Sequence, residues 1–267
     1  MPELSISELH NILNNLFPIV DQAAESILKI YNTPFNKEIK QDNSPVTKAD
    51  QKSNKIIIEG LQLITPEFPI ISEESKFESY DKRKAYKQCW IVDPLDGTKE
   101  FINHNGEFSI NIALCADQEI ILGIVMAPVS GEIAWAIKGE GAFLKEKDGR
   151  VVKLRCGDFC SEQEKLRVVT SRSHLSTKTK QLINELNNPI LIKKGSSWKF
   201  ILIASNQADY YPRPGTTMEW DTAAPQIIME EAGGTVCSIK DNKRLVYNKE
   251  NLKNPEFIAK GSSNEAD

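Results

Sequence analysis

Five short apolar runs, PIIS, CWIVD, FSINIALC, EIILGIVMAPV and GEIAWAI, follow one another between residues 69 and 137 and read as β-strands. The Ser130-Gly131 break between the last two predicts a hairpin, and hence an antiparallel meander. Helical patterns precede the strands. Ser5 and Glu8 have the spacing of a capping box, and Leu9, Leu13, Leu16, Val20, Ala23, Ile27 and Tyr31 recur at helical intervals, which predicts a long amphipathic helix that bends near Pro18. A polar stretch over residues 36–50 leads into a second helix carrying Ile56, Ile57, Gly60, Leu61 and Ile64. Thr65-Pro66 closes that helix, and its entrance places Asp50 near the N-terminus.

Residues 145–165 lose this patterning and turn polar, so the expected division is an N-terminal α+β part, 1–163, and a C-terminal α/β part, 164–267. The second part alternates. LRVVTS, PILIKKG and ADYYP read as strands, with helices over about residues 176–187 and 197–207 and in DTAAPQIIMEEAGG, where Pro225 fits the first turn and glycine the stop.

Composition narrows the function classes. The chain has 267 residues, a net charge of −4 and a hydrophobic share of 40%, values of an ordinary globule that exclude a dominantly disordered, collagenous or coiled-coil state. No basic stripe exists for a nucleic-acid polymer, and no run reaches the roughly 18 apolar residues of a membrane span. The N-terminus lacks a signal-peptide pattern, and Cys89, Cys115, Cys156, Cys160 and Cys237 form no CxxC, so the chain reads as cytosolic with free thiols. At face value the net charge also disfavours an anionic ligand.

Chemistry concentrates in DPLDGTKEF, residues 93–101, directly after the apolar run CWIV. Pro94 and Gly97 turn the backbone at the strand end, so Asp93, Asp96 and the Leu95 carbonyl can converge as hard oxygen ligands suited to Mg²⁺ or Mn²⁺. The plainer alternative is an exposed Asp-Gly turn. Glu73 follows PIIS at another strand end, while Asp50 and Asp221 each stand at a helix start, where simple N-capping would account for them.

Taken together, VTKAD (46–50), SEES (72–75), WIVDPLDGT (90–98) and WDTAAPQIIMEEAGG (220–234) resemble, in order and spacing, the inositol monophosphatase superfamily of Mg²⁺-dependent, lithium-sensitive phosphomonoesterases. The resemblance implies an α/β fold, the layered αβαβα sandwich shared with fructose-1,6-bisphosphatases, with the site between its halves. It implies two or three Mg²⁺, with Mn²⁺ as a substitute, held by Glu73, Asp93, the Leu95 carbonyl, Asp96 and Asp221. It also implies catalytic roles for Asp50, Thr98 and Glu73, with Asp50 accepting a hydrogen bond from Thr98 so that this hydroxyl orients the attacking water.

Lys99-Glu100-Phe101, SRSH (171–174), GSSWKF (195–200) and YPRPGTTMEWD (211–221) resemble, within that superfamily, the CysQ-type 3′(2′),5′-bisphosphate nucleotidases. This implies substrate contacts from Gly97, Thr98, His174, Ser196, Lys199, Arg213 and Asp221. The expected reaction removes the 3′-phosphate of adenosine 3′,5′-bisphosphate to give AMP, with the sulfated precursor nucleotide as a second substrate and a role in sulfur metabolism. A second phosphate needs its own cations, which His174, Lys199 and Arg213 could supply. By default these three would be a surface histidine and two solvated charges, Trp198 a core residue, and Arg172 either a phosphate or a solvent contact. The resemblance also implies a monomer rather than a dimer, with peripheral attachment to the inner membrane face left open.

Two other functions share these residues: an inositol monophosphatase or broad sugar-phosphate phosphatase, and a catalytically inactive phosphate-ligand binding protein on the same fold. Five intact carboxylates argue against the inactive protein. There is no GxxxxGK[ST], no GxGxxG after a strand and no GxSxG, so P-loop, dinucleotide and serine-hydrolase chemistry have no support. The five carboxylates Asp50, Glu73, Asp93, Asp96 and Asp221 account for the chain's whole net negative charge, and bound cations would reverse it locally.

Overall fold

The computed structural model describes residues 4–34, 45–172 and 175–263. In chain order the helices and strands are α1 (Ile6–Tyr31), α2 (Pro45–Ile64), β1 (Ile70–Ser72), α3 (Tyr80–Arg83), β2 (Gln88–Asp96), α4 (Thr98–Ile102), β3 (Ser109–Ala116), β4 (Glu119–Ala127), β5 (Glu132–Ile137), β6 (Gly141–Lys145), β7 (Val151–Lys153) and β8 (Asp158–Phe159). There follow β9 (Arg167–Thr170), α5 (Thr177–Asn184), β10 (Ile190–Lys193), α6 (Trp198–Ala204), β11 (Tyr210–Arg213), α7 (Glu219–Glu231), β12 (Thr235–Ser238), β13 (Phe257–Lys260) and β14 (Ser262–Ser263).

β1 to β7 form one sheet in sequence order, antiparallel except for the parallel β1–β2 pair. The second sheet has the order β10-β9-β11-β13-β12, and β14 pairs with β8 in a small ribbon. α1 and α2 cover one face of the first sheet, α6 and α7 lie between the two sheets, and α5 packs outside the second. This is the αβαβα layering.

Alternation along β3 shows how the layers are specified. Ile110, Ile112 and Leu114 enter the core shared with α1 and α2, while Ala113 and Cys115 enter the core shared with α7. Small residues on that second face admit α7 closely. A Cβ on Gly123 would come 2.6 Å from Ile227 Cγ2 and 2.7 Å from the Ala224 carbonyl oxygen, so only glycine leaves room for the helix there.

Several local expectations are corrected. α1 is capped by Ser5 and Glu8 as predicted and runs unbroken across Pro18. α2 begins at Pro45, which puts Asp50 in its second turn, not at its start. The polar stretch 145–165 contains β7 and β8, the former an edge strand with mostly exposed side chains that carries no apolar pattern. Pro225 lies in the body of α7, the seventh of its thirteen residues, and not in the first turn. Lacking an N–H, it cannot bond the carbonyl one turn back, that of Asp221. The five cysteines are free, with Cys160 exposed. Among the described residues no helix is long and apolar enough to cross a membrane.

Candidate active site

The site begins with an irregularity in β2. Two strand residues three apart should face opposite sides of a sheet. Here Asp93 pairs with Asn111 and Asp96 with Ser109, so three steps on β2 match two on β3. The resulting β-bulge at Pro94 and Leu95 turns both aspartates to the α7 side. Ser53 of α2 donates to the Pro94 carbonyl at 2.8 Å, and the Leu95 N–H donates to Asp93 Oδ1 at 3.0 Å, which fixes the bulge from both ends. Leu95 is buried.

α7 brings the third carboxylate. Asp221 is not the N-cap of this helix but its third residue, accepting a 2.8 Å hydrogen bond from the Met218 N–H that satisfies the cap backbone. One carboxylate oxygen each from Asp93, Asp96 and Asp221 lies within 4.8 Å of the other two. Glu73 extends from the end of β1, whose pairing with β2 continues through the Glu73 N–H and the Val92 carbonyl. Asn54 of α2 clamps this turn by accepting from Ser72 at 2.7 Å and donating to Ser75 at 2.9 Å.

Electrostatics marks the cluster as a cation site. Burial, then the repulsion of Asp96, Glu73, Asp221 and Asp50, pushes Asp93 well above the carboxylate range. Burial and Asp96 raise Asp221 to about 7; burial with Asp96 and Glu74 does the same to Glu73. Asp50 is raised to about 8 by burial and by Glu74 and Glu73. Asp96 is raised by burial, though Lys199, the Ser197 N–H, Asn111 and Arg213 counter part of that rise. No lysine or arginine is ion-paired with Asp93, Asp96 or Asp221 among the described residues. Converging, unpaired, hard oxygen donors without histidine or thiolate fit a hard divalent cation.

The opposite wall is cationic. A cavity of ≈ 70 Å³ is lined by Asp96 and Asp221 on one side and by Ser196, Lys199, Tyr211 and Arg213 on the other. Ser196 holds a left-handed backbone, φ 48°, at the turn into α6. Lys199 is buried; its ammonium donates to the Ser196 carbonyl and sits 5.4 Å from the centroid of Tyr211. Arg213 donates to Ser171 Oγ at 3.3 Å and to the Thr216 carbonyl at 3.4 Å, while its Nε is buried with no partner. Among the described residues neither cation forms an ion pair with a carboxylate, although both attract Asp96 through space, and their hydrogen bonds go to neutral oxygens.

Thr98 is exposed at the first position of α4, and Gly97 before it takes φ 100°, where a Cβ would press on Phe108 Cα at 3.2 Å. The expected Asp50–Thr98 hydrogen bond is not present among the described residues, and Asp50 is instead buried near Glu73 and Glu74. His174 lies outside the described residues. Trp198 is a core residue, and Arg172 is paired with Glu107.

Sequence reasoning missed the residues behind the acids. The Ser197 N–H donates to Asp96 Oδ2 at 2.5 Å, and its hydroxyl donates to Asn111 Oδ1 at 2.6 Å while lying 2.8 Å from Ser109 Oγ. Asn111 and Ser109 are buried polar residues on one face of an apolar strand, a visible signal, since buried polar groups need partners. Glu74, near Asp50, and Tyr211 were also not singled out.

The model of the inositol monophosphatase family matches residues 8–265. The chain is 38% identical over 249 residues to the 3′(2′),5′-bisphosphate nucleotidase CysQ of Salmonella typhimurium, covering 92% of this chain and 98% of that protein. It is 35% identical over 250 residues to the protein of the same name from Aggregatibacter actinomycetemcomitans, covering 93% and 92%. Among solved structures, CysQ from Bacteroides thetaiotaomicron, described as a bacterial member of that family, superposes with a TM-score of 0.81 at 38% identity, over 93% of this chain and 97% of the other.

Proposed function

Because the chain belongs to the inositol monophosphatase family, we propose that it is a Mg²⁺-dependent, lithium-sensitive 3′(2′),5′-bisphosphate nucleotidase that removes the 3′-phosphate of adenosine 3′,5′-bisphosphate. The observation that carries this reading is one cavity lined both by carboxylates and by two cations that form no ion pair among the described residues. A simple monoester needs only the first wall; a bisphosphate uses both. The names of the relatives support the same substrate class.

Glu73, Asp93, the Leu95 carbonyl, Asp96 and Asp221 would hold the metal, Mg²⁺ with Mn²⁺ as substitute. When bound, it neutralises the phosphate dianion, acidifies water and stabilises the leaving alkoxide. The protein supplies placement. The bulge in β2 sets Asp93 and Asp96 on one face, and Ser197 holds Asp96 through its backbone. Thr98 and Gly97, at the start of α4 beside the acids, position the reacting phosphate and the attacking water. Asp50, buried near Glu73 and Glu74, is the carboxylate assigned to activating the attacking water. Ser196, Lys199 and Arg213 bind the second phosphate and hold the ester in line. We assign His174 to the nucleotide by its place in the SRSH segment.

Phosphate release from adenosine 3′,5′-bisphosphate and from inositol 1-phosphate, each with Mg²⁺ and with or without Li⁺, tests the reading. Preference for the bisphosphate, with inhibition by Li⁺, is expected. Preference for the inositol ester would replace it with the monophosphatase reading, and release from neither would leave a binding protein.

A further inference from the structure

The outer face of the five-stranded sheet is only half covered. α5 packs Ile183 against Leu166, just before β9, Val168 on β9 and Tyr210 on β11. Over β13 and β12 the same face borders a cavity of ≈ 490 Å³, whose other described walls come from residues 158–163 and the turn at 238–242. Small-molecule sites span about 300–1,000 Å³. The cavity is distinct from the active site because consecutive residues of β11 face opposite ways. Tyr210 lines this cavity, whereas Tyr211 lines the one shared by Lys199 and Arg213.

Strand register defines the floor. Lys260 on β13 is paired with Tyr210 on one side and Thr235 on the other, and Ile258 with Cys237 forms the next row. Phe159 makes the wall, stacked on Tyr210 with ring centroids 5.5 Å apart and planes at 14°. The Lys260 ammonium lies 5.1 Å from the centroid of Phe159. No carboxylate is ion-paired with it among the described residues. Thr235 Oγ1 is buried with no hydrogen-bond partner. The cavity therefore offers flat apolar surface, one uncompensated cation and one unused hydroxyl at the same strand level.

A neutral ligand would leave the ammonium without a counter-ion, and a dianion would find a single cation with Asp158 on the rim. We propose that this cavity is a second binding site, for a small aromatic monoanion of one or two rings bearing a single carboxylate or sulfonate. Its acid group meets Lys260 and Thr235, and its ring lies against Phe159, Tyr210 and Ile258. A charge-assisted contact on an aromatic floor gives both affinity and orientation.

The two more accessible cysteines of the chain report on the site. Cys160 is exposed and Cys237 half-buried, and both line the cavity, while Cys89, Cys115 and Cys156 are buried. The probe is 5-dimethylaminonaphthalene-1-sulfonate, a two-ring monoanion, titrated by fluorescence into the folded full chain. Saturable one-to-one binding is expected, slowing iodoacetamide labelling of Cys160 and Cys237 several-fold. Lys260→Gln is expected to weaken binding about tenfold, and Ile258→Trp, which fills the floor, to abolish it. Lys260→Gln keeps a side chain of similar length on the half-buried floor and removes its charge, so it reads the site even where the tryptophan variant does not fold. The proposal is overturned by absence of saturable binding, by binding that leaves both thiols as reactive as before, or by unchanged affinity in Lys260→Gln.

Discussion

β2 and β11 end against one cavity with opposite chemistry. β2, with help from β1 and α7, delivers carboxylates that raise one another's pKa and that form no ion pair with a lysine or arginine among the described residues. β11 and α6 deliver Arg213 and Lys199, whose hydrogen bonds go only to neutral oxygens. On the proposed reading the first wall is completed by a cation and the second by an anion. They differ in rigidity as well. The acid wall is pinned by Ser53, Ser197 and the Met218 N–H, whereas Arg213 keeps an unpartnered Nε. On the proposed reading, chemistry belongs to the first wall and substrate choice to the second.

Breaking the acid wall should have the largest effect. Asp93→Asn removes the carboxylate at the centre of the mutual repulsion, so turnover of every phosphate ester should fall by about a thousandfold or more. The same change should leave the metal-free protein equally or more stable, because a buried, repelled carboxylate is replaced by a neutral amide. Steady-state phosphate release and thermal melts in EDTA check the two halves. Loss of activity together with a lowered metal-free melting temperature would mean that Asp93 holds the fold and not the ligand.

The cationic wall should show a narrower effect. Arg213→Met should lower kcat/KM for adenosine 3′,5′-bisphosphate by about 10–100-fold, the loss of one charged hydrogen-bonding group, and leave a monoester such as inositol 1-phosphate within about twofold. Equal losses for both substrates would erase the division between the walls. Ser197→Ala tests the link between them. Its backbone contact to Asp96 survives, but the hydroxyl bond to Asn111 and the contact with Ser109 do not. About a tenfold rise in the Mg²⁺ concentration needed for half-maximal activity is expected, since residues behind metal ligands tune affinity by about that much. An unchanged Mg²⁺ requirement would make Ser197 a packing residue only.

The two walls were unequally legible in the sequence. Asp93, Asp96 and Glu73 could be read as strand-end acids because apolar runs precede them directly. The bulge could not be read: a spacing of three in a strand predicts opposite faces, and only the register against Ser109 and Asn111 shows them together. Asp50 was misplaced by a turn because Pro45, a good first residue for a helix, was passed over as part of a loop. Ser197 could not be found by motif alone, since its backbone N–H and not its residue type makes the contact to Asp96. The central place of α7 was hidden for a different reason. Its alanines and Gln226 are buried between two sheets, so it lacks the one-sided stripe that marks a surface helix.

A shift of melting temperature with pH separates the walls without any substrate. In the folded, metal-free chain Glu73 and Asp221 titrate at about 7 and Asp50 at about 8, whereas in the unfolded chain these groups titrate near about 4. Between those limits the folded state binds more protons than the unfolded one, so its stability is greatest on the acid side and is lost as pH rises through about 7 to 8. A bound divalent cation takes the place of those protons. The melting temperature in EDTA should therefore fall between about pH 5 and pH 8.5, and the increment given by Mg²⁺ should grow over the same interval. Arg213→Met should leave this Mg²⁺ increment in place, while Asp93→Asn should flatten it. An increment that shrinks with rising pH, or that follows Arg213 instead of Asp93, would place the cation on the wrong wall.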